Sequence, residues 1–366
     1  MTSRFSQHRL RQRQGARQDR FLMSRLRASD VSFVRPPDVV EGSVASVLRV
    51  PPEVAGRRLD VFVHGELHRT SRTRAQAIVR ASAYDAAGRR LRPSDRVQPE
   101  QRIVLWRPPW DEAAVPIDVP TIWEDEHLVA VAKPALLPVH PTARYHKNTL
   151  IKVLQAQRPD CPFLSLGHRL DRETSGVLIV SKTRACDRAL KKLFEGRKGV
   201  QKSYVAITWG VPDRGDGARR FRYERSMVLD KTSSLGVKMR ISDAPQALRA
   251  ATGIDVREER RGPSRSTYSL VHCELETGRQ HQIRLHLASL GAPVVGDKLY
   301  GPDEQAFARA ADGRLTEIDL LRLELPRHAL HAAQIALPHP ITTARLVLKA
   351  PLPDDIAGFW KSLEPL

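Results

Sequence analysis

Three observations predict an α+β chain with a mixed or antiparallel sheet. Segments of strand length mostly follow one another, helical patterns fall between them irregularly, and the regular strand-helix-strand rhythm of a doubly wound parallel sheet is missing. The 366 residues suffice for two or three domains, and 41% hydrophobic with 28% charged residues is the balance of a globular chain. A short peptide or a fibrous protein is excluded.

Charge narrows the function. Sixty Lys and Arg against 41 Asp and Glu leave a net +19, and only 13 of the 60 are Lys. The excess of planar, fork-shaped Arg favours a polyanionic partner whose phosphates and bases a guanidinium can grip and stack upon. Cys161, Cys186 and Cys273 are far apart and form no CxxC pair, so neither a disulfide framework nor a thiolate zinc site is expected. No apolar run reaches transmembrane length and no secretory core opens the chain, so a cytoplasmic protein without a membrane partner is expected. Residues 1–35, with nine Arg and two Asp, also have the composition of a transit peptide, but Arg is frequent throughout.

Residues 1–45 carry few apolar side chains in no sustained period and read as a basic disordered arm. Residues 46–108 form a small block. Within it RLDVFVHGEL predicts one helix, and SRTRAQAIVRA predicts a second, with Ser71 as N-cap and Ala75, Ile78 and Val79 as the buried stripe. A turn at Gly88 and the short alternating stretches RRLRP and RVQPEQRIVLW follow as strands. Arg69, Arg72, Arg74 and Arg80 crowd the second helix and predict an exposed basic face. The run RLDVFV…SRTRAQAIV…GRRL resembles the small RNA-binding domain named after ribosomal small-subunit protein four. Ala86-Ala87-Gly88 stands where that family has Val-Asn-Gly.

A Pro-rich linker over 109–115 leads to a larger domain, 116–366. TIWEDEHLVAVAKPA predicts two strands around an acidic turn, and Asn148 is placed to cap the helix TLIKVLQAQ. VLIVSKT is a continuous apolar strand, RACDRALKKLFEGR an amphipathic helix ending at Gly196. KSYVAITWG and STYSLVHCELE are strands, HQIRLHLASLG a Gly-ended helix, and ARLVLKAPLP a last strand.

For chemistry, there is no GxxxxGK[ST] phosphate loop, no three-glycine dinucleotide loop and no GxSxG elbow. His281 and His286, and His328 and His331, lack zincin spacing, so no metal or cofactor is expected and these histidines are read as core or RNA-facing. The richest segment is Gly167–Lys182, where a polar turn runs into a buried strand. Asp171 between Arg169 and Arg172 is expected to stay ionised, as a nucleophile or base; a turn-capping Asp fits the local sequence equally.

HRLDRETSG reproduces the HRLDxxTSG signature of the pseudouridine synthases of ribosomal large-subunit and transfer RNA. QKSYVAITWG, TGRQHQIRLHLASLGAPVVGDKLYG and RHALHAAQIALPHP are similar to further segments of that family, in family order over 116–352. The resemblance implies a cofactor-free isomerisation of uridine in structured RNA by a monomeric enzyme that flips the base out of its stack. Asp171 is the essential carboxylate, attacking the anomeric carbon or removing a ribose proton. Arg284 is its partner, Tyr204 the base-stacking ring, and Arg169 the group inserted where the base was. Arg172, with Arg72, Arg74 and Arg80, is expected to contact RNA. Arg284 should lie exposed on the border of an Ile283, Leu287, Leu290 stripe, and Tyr204 should face away from the core residues Val205, Ile207 and Trp209. Two other readings compete: a ribosome-assembly factor using the fold only as an RNA platform, and a metal-dependent nuclease, for which the acidic ligand cluster is missing.

Overall fold

The computed structural model describes residues 25–26, 31–67, 71–142, 144–196, 199–262 and 266–366. Arg69 and residues 1–24 of the predicted arm lie outside them. The chain divides into two compact units between Asp111 and Glu112, inside the stretch expected as linker.

In the first unit, strands Arg25–Leu26, Val44–Arg49, Arg102–Arg107 and Ala83–Asp85 lie in that order in an antiparallel sheet. Helices Leu59–Glu66 and Arg72–Ser82 cover one face, and the Ser71 hydroxyl accepts the Arg74 N–H at 3.2 Å as the N-cap predicted. Alternation in RIVLWR explains the rest: Ile103 and Leu105 point to the helices, meeting Phe62, Ala75 and Val79, while Val104 and Trp106 point to the opposite face. That second face is buried too, and the arm is the reason. Residues 31–43, expected to be disordered, instead run across it with Val31, Phe33 and Val39 packed on the patch of Val47, Tyr84, Val104 and Trp106, and Asp38 accepts bonds from the Tyr84 hydroxyl at 2.8 Å and Arg90 at 3.0 Å. Composition concealed this because only three of the segment's apolar side chains, Val31, Phe33 and Val39, serve the patch, while Val34 and Val40 stay exposed. RRLRP is not a full strand; Arg90 makes a single bridge to Tyr84 and Leu91 enters the core.

The second unit is built on a mixed sheet of eleven strands among the described residues. Its central order is Arg220–Glu224, Ala251–Arg261, Thr267–Leu275, Gln201–Trp209, Leu330–Pro338, Ser175–Ser181, Leu128–Lys133 and Thr121–Glu124. Every pairing in that series is antiparallel except one, where Leu330–Pro338 runs parallel to Ser175–Ser181. Apolar runs such as LVAVA and VLIV are continuous because both faces are covered. Val129, Val131, Leu178 and Val180 join one core with Ile283, Leu287 and Trp360, while Leu128, Ala130, Val177 and Ile179 meet Cys186 and Leu190 of the helix Arg184–Gly196.

The helix predicted from Asn148 begins at Leu150 with Thr149 in the N-cap position. Asn148 sits one residue too early to cap; its amide donates to the Ala113 carbonyl at 2.9 Å, and Glu112 accepts backbone N–H groups of His146, Lys147 and Asn148. No helix among the described residues is long and apolar enough to cross a membrane.

Candidate active site

The loop Gly167–Thr174 enters the parallel junction, and each residue from 172 to 175 is tied to a different partner. Lys133, which is buried, donates from Nζ to the Arg172 carbonyl at 3.1 Å and to the Pro134 and Leu137 carbonyls. Glu173 receives Lys298 at 2.9 and 3.0 Å, and its carbonyl accepts Arg327 Nη1 at 3.2 Å. Thr174 Oγ1 bonds His328 Nε2 at 2.7 Å, and Ser175 Oγ donates to His331 Nδ1 at 3.0 Å, because His331 Nε2 gives its own proton to the Ala350 carbonyl. Gly176, at φ +117°, lies so close to its neighbour that a Cβ there would stand 2.2 Å from the Ala332 carbonyl oxygen. The loop is therefore fixed from behind by side chains distant in sequence.

Held by this frame, Asp171 presents its carboxylate, 30% exposed, to a cleft of about 620 Å³. Arg284 Nη1 donates to Asp171 Oδ2 at 2.9 Å, while Arg284 Nε and Nη2 donate to Asp297 at 2.6 and 2.8 Å. Asp297 is fully buried and also accepts the backbone N–H of Leu299 and Tyr300 at 2.9 and 3.0 Å. Burial pushes the Asp171 carboxyl up, but Arg284 first, then His281 and His328, pull it net below its ordinary 3.8. Asp171 is thus ionised at neutral pH, held so chiefly by Arg284.

Arg284 itself was expected on an exposed border and is instead 5% exposed. Its helix, Gln282–Ser289, is buried along Gln282–Leu287, so the apolar stripe does not mark the only covered side. Two carboxylates, rather than water, satisfy the guanidinium. Tyr204 likewise is buried in the main core, and burial followed by the Asp171 charge raises its hydroxyl above the ordinary 10.0. It still lines the cleft, on the strand face opposite Val205 and Ile207. Arg169 is exposed at the cleft rim; Arg172 lines the same cleft and donates to the Tyr145 hydroxyl at 3.0 Å.

Among the histidines weighed for a metal, His286 bonds Thr252 Oγ1 at 2.9 Å and the Arg225 carbonyl at 3.1 Å, and His328 and His331 hold the loop as above. His281 alone of the four lines the cleft. His168 accepts the Ile179 N–H on Nε2 at 3.2 Å, a structural task. In the first unit, Arg72, Arg74 and Arg80 are exposed on one helix, with Arg72 Nε 3.8 Å from the buried Asp60.

Sequence reasoning missed Asp297, Lys133 and Lys298. Asp297 and Lys298 lie within the quoted GDKLYG segment, which was the available signal, and Lys133 ends an apolar strand where a charge is costly unless bonded.

A carboxylate held ionised by a buried guanidinium, in a cleft walled by a tyrosine and arginines, defines an enzyme site suited to a nucleotide substrate. The model of the RNA pseudouridylate synthase family matches residues 127–289. The ribosomal large subunit pseudouridine synthase D of Pseudomonas aeruginosa is 32% identical over 84% of this chain and 92% of its own. The protein of the same description from Nitrosomonas europaea is 32% identical over 87% and 88%. The fold recurs in the solved human RNA pseudouridylate synthase domain containing 1, with a TM-score of 0.54 and 22% identity over 69% of this chain and 91% of that one. The chain belongs to the pseudouridine synthase family and is an RNA pseudouridine synthase, an isomerase whose substrate is RNA.

Proposed function

We propose that this enzyme isomerises uridine in large-subunit ribosomal RNA, with Asp171 as the reacting carboxylate. The observation that carries the reading is the Asp171–Arg284 pair at 2.9 Å, open to the cleft. The reaction breaks the bond between C1′ and N1 of uracil and forms one between C1′ and C5; C5 loses a proton and N1 gains one, so no redox partner is required. Asp171 takes part either by attacking C1′ or by removing a ribose proton, and both routes use the ionised form.

Tyr204, in the cleft wall, stacks on the target base, and Arg284 fixes the carboxylate. Extruding a stacked uridine costs a few kcal/mol, and exposed Arg169 fills the gap by stacking on the bases left behind. The names of the relatives from Pseudomonas aeruginosa and Nitrosomonas europaea support large-subunit RNA. The small unit, with its two helices and exposed Arg72, Arg74 and Arg80, fits an RNA-docking domain.

The test is to map pseudouridines in total RNA with and without the gene. Loss of sites in large-subunit RNA, restored by the wild-type gene and not by Asp171→Asn, is expected. Loss confined to transfer RNA would redirect the substrate, and no loss would overturn the reading.

A further inference from the structure

His281 has three features that the roles above leave unused. Its backbone is left-handed, with φ 58°, a conformation that a non-glycine residue adopts at some cost. It stands as the residue before the helix that carries Arg284, and its ring lines the cleft. Its Nδ1 lies 3.1 Å from the Tyr300 hydroxyl oxygen, which also accepts the Met239 N–H at 2.9 Å.

The tautomer follows from this chain of bonds. Tyr300 is buried, so its hydroxyl proton needs an acceptor, and His281 Nδ1 is the one within reach. With Nδ1 accepting, the ring proton sits on Nε2. Burial, and then the Arg284 charge, pull the imidazole down to about 4, so it is neutral at physiological pH. Nε2 makes no hydrogen bond to another described residue, and the ring is part of the cleft lining.

We infer that His281 is a further catalytic residue, a neutral Nε2–H donor that hydrogen-bonds the uracil oxygen on which negative charge collects when the glycosidic bond breaks. The inference rests on the uridine reading of the same site. When the C1′–N1 bond breaks, its electron pair stays with uracil and spreads to the carbonyl oxygens; the donor stabilises that charge without giving up its proton. A neutral donor suits this task better than an imidazolium, which would compete with Arg284 for Asp171. The left-handed backbone and the Tyr300 bond keep the ring aimed before substrate arrives, as preorganised oxyanion donors require.

The experiment uses the full-length enzyme and an unmodified large-subunit RNA transcript under single turnover. His281→Phe should slow isomerisation by about 100-fold, the usual cost of one oxyanion donor, with RNA affinity unchanged. His281→Gln keeps an N–H donor and should recover most of the rate. His281→Gly suits φ 58° better than histidine does, so it should fold; added imidazole should restore its rate, whereas 1-methylimidazole, which has no N–H, should not. A wild-type rate in the Phe variant, equal rescue by the two imidazoles, or rescue by neither would overturn the assignment. The wild-type enzyme on the same transcript separates the two readings: if it makes no pseudouridine, the substrate proposal fails instead.

Discussion

Asp297 holds Arg284 by two parallel bonds, 2.6 Å to Nε and 2.8 Å to Nη2, so that only the Nη1 end of the guanidinium meets Asp171. Asp297 thereby sets the direction from which Asp171 is gripped. Asp297→Asn keeps the volume but leaves Arg284 free to swing wholly onto Asp171. Displacements of this kind can cost about 100-fold in rate, and kcat should fall by that order while RNA affinity holds. Single-turnover kinetics with binding on the same RNA will check it; equal losses in both would mean general unfolding instead.

Asp171→Asn should abolish isomerisation while the fold and RNA affinity persist, since an amide fills the same space but neither attacks nor accepts a proton. Release of tritium from C5-labelled uridine is the measurement. Wild-type release in that variant would remove Asp171 from the chemistry.

The pH dependence follows from the same pair. Asp171 has its folded pKa below 3.8, so its ionised form, and the stability it brings, are complete above that value and are lost as pH falls through the lowered one. Activity is therefore expected to stay level on the acid side of neutrality until His281 takes up a proton at about 4, with loss of the Asp171 carboxylate following at lower pH. In Arg284→Met the chief lowering influence is gone and burial pushes the carboxyl up, so the acid limb should move to higher pH. A pH–rate series of both proteins decides it; a limb that does not move would mean that Arg284 does not set the ionisation of Asp171.

Much of this was legible in the sequence because it is local. Period-two and apolar runs located several strands, though not Arg220–Glu224, Ala251–Arg261 or Leu330–Pro338, the Gly196 end and the Ser71 cap located helices, and HRLDRETSG pointed to Asp171. What was not legible depends on pairs far apart along the chain. The pairing of Asp171 with Arg284, 113 positions apart, came from the family resemblance alone, and nothing in the amphipathic pattern of HQIRLHLASLG says that two carboxylates will bury the arginine. The loop clamps by Lys298 and His328 are of the same kind. Residues 31–43 misled for another reason: a charged segment can still be ordered when three apolar side chains share one patch.

Gly176→Ala should be poorly tolerated. Its φ of +117° is costly for any L side chain, and the added Cβ would sit 2.2 Å from the Ala332 carbonyl, which belongs to the parallel partner strand and has little room to retreat. Strain of about 1–3 kcal/mol from the backbone alone, before the clash, predicts a clearly lowered melting temperature. Because Asp171 lies five positions before it, on the loop that leads into this strand, activity should fall further than the loss of folded protein explains. A melt and a rate corrected for folded fraction test both statements, and an unchanged melting temperature would mean that the junction can open.

Charge reversal of Arg72, Arg74 and Arg80 tests the small unit without touching the chemistry. The three side chains project from one helix whose buried side is Ala75 and Val79, so their replacement by Glu disturbs little packing. Arg72 alone has a described acidic neighbour, Asp60, which Arg58 and Gln76 also hold at 3.0 and 2.8 Å and which should stay satisfied. If these arginines meet phosphates, each contact contributes roughly 0.7 to 0.9 to the slope of log affinity against log salt through counterion release. The triple variant should then bind structured RNA more weakly and with a slope about two units shallower, while the rate constant at saturating RNA stays that of the wild type. Binding across a salt series gives the answer. A slope equal to that of the wild type would make the basic helix an ordinary solvated face and leave RNA docking to the arginines around the cleft.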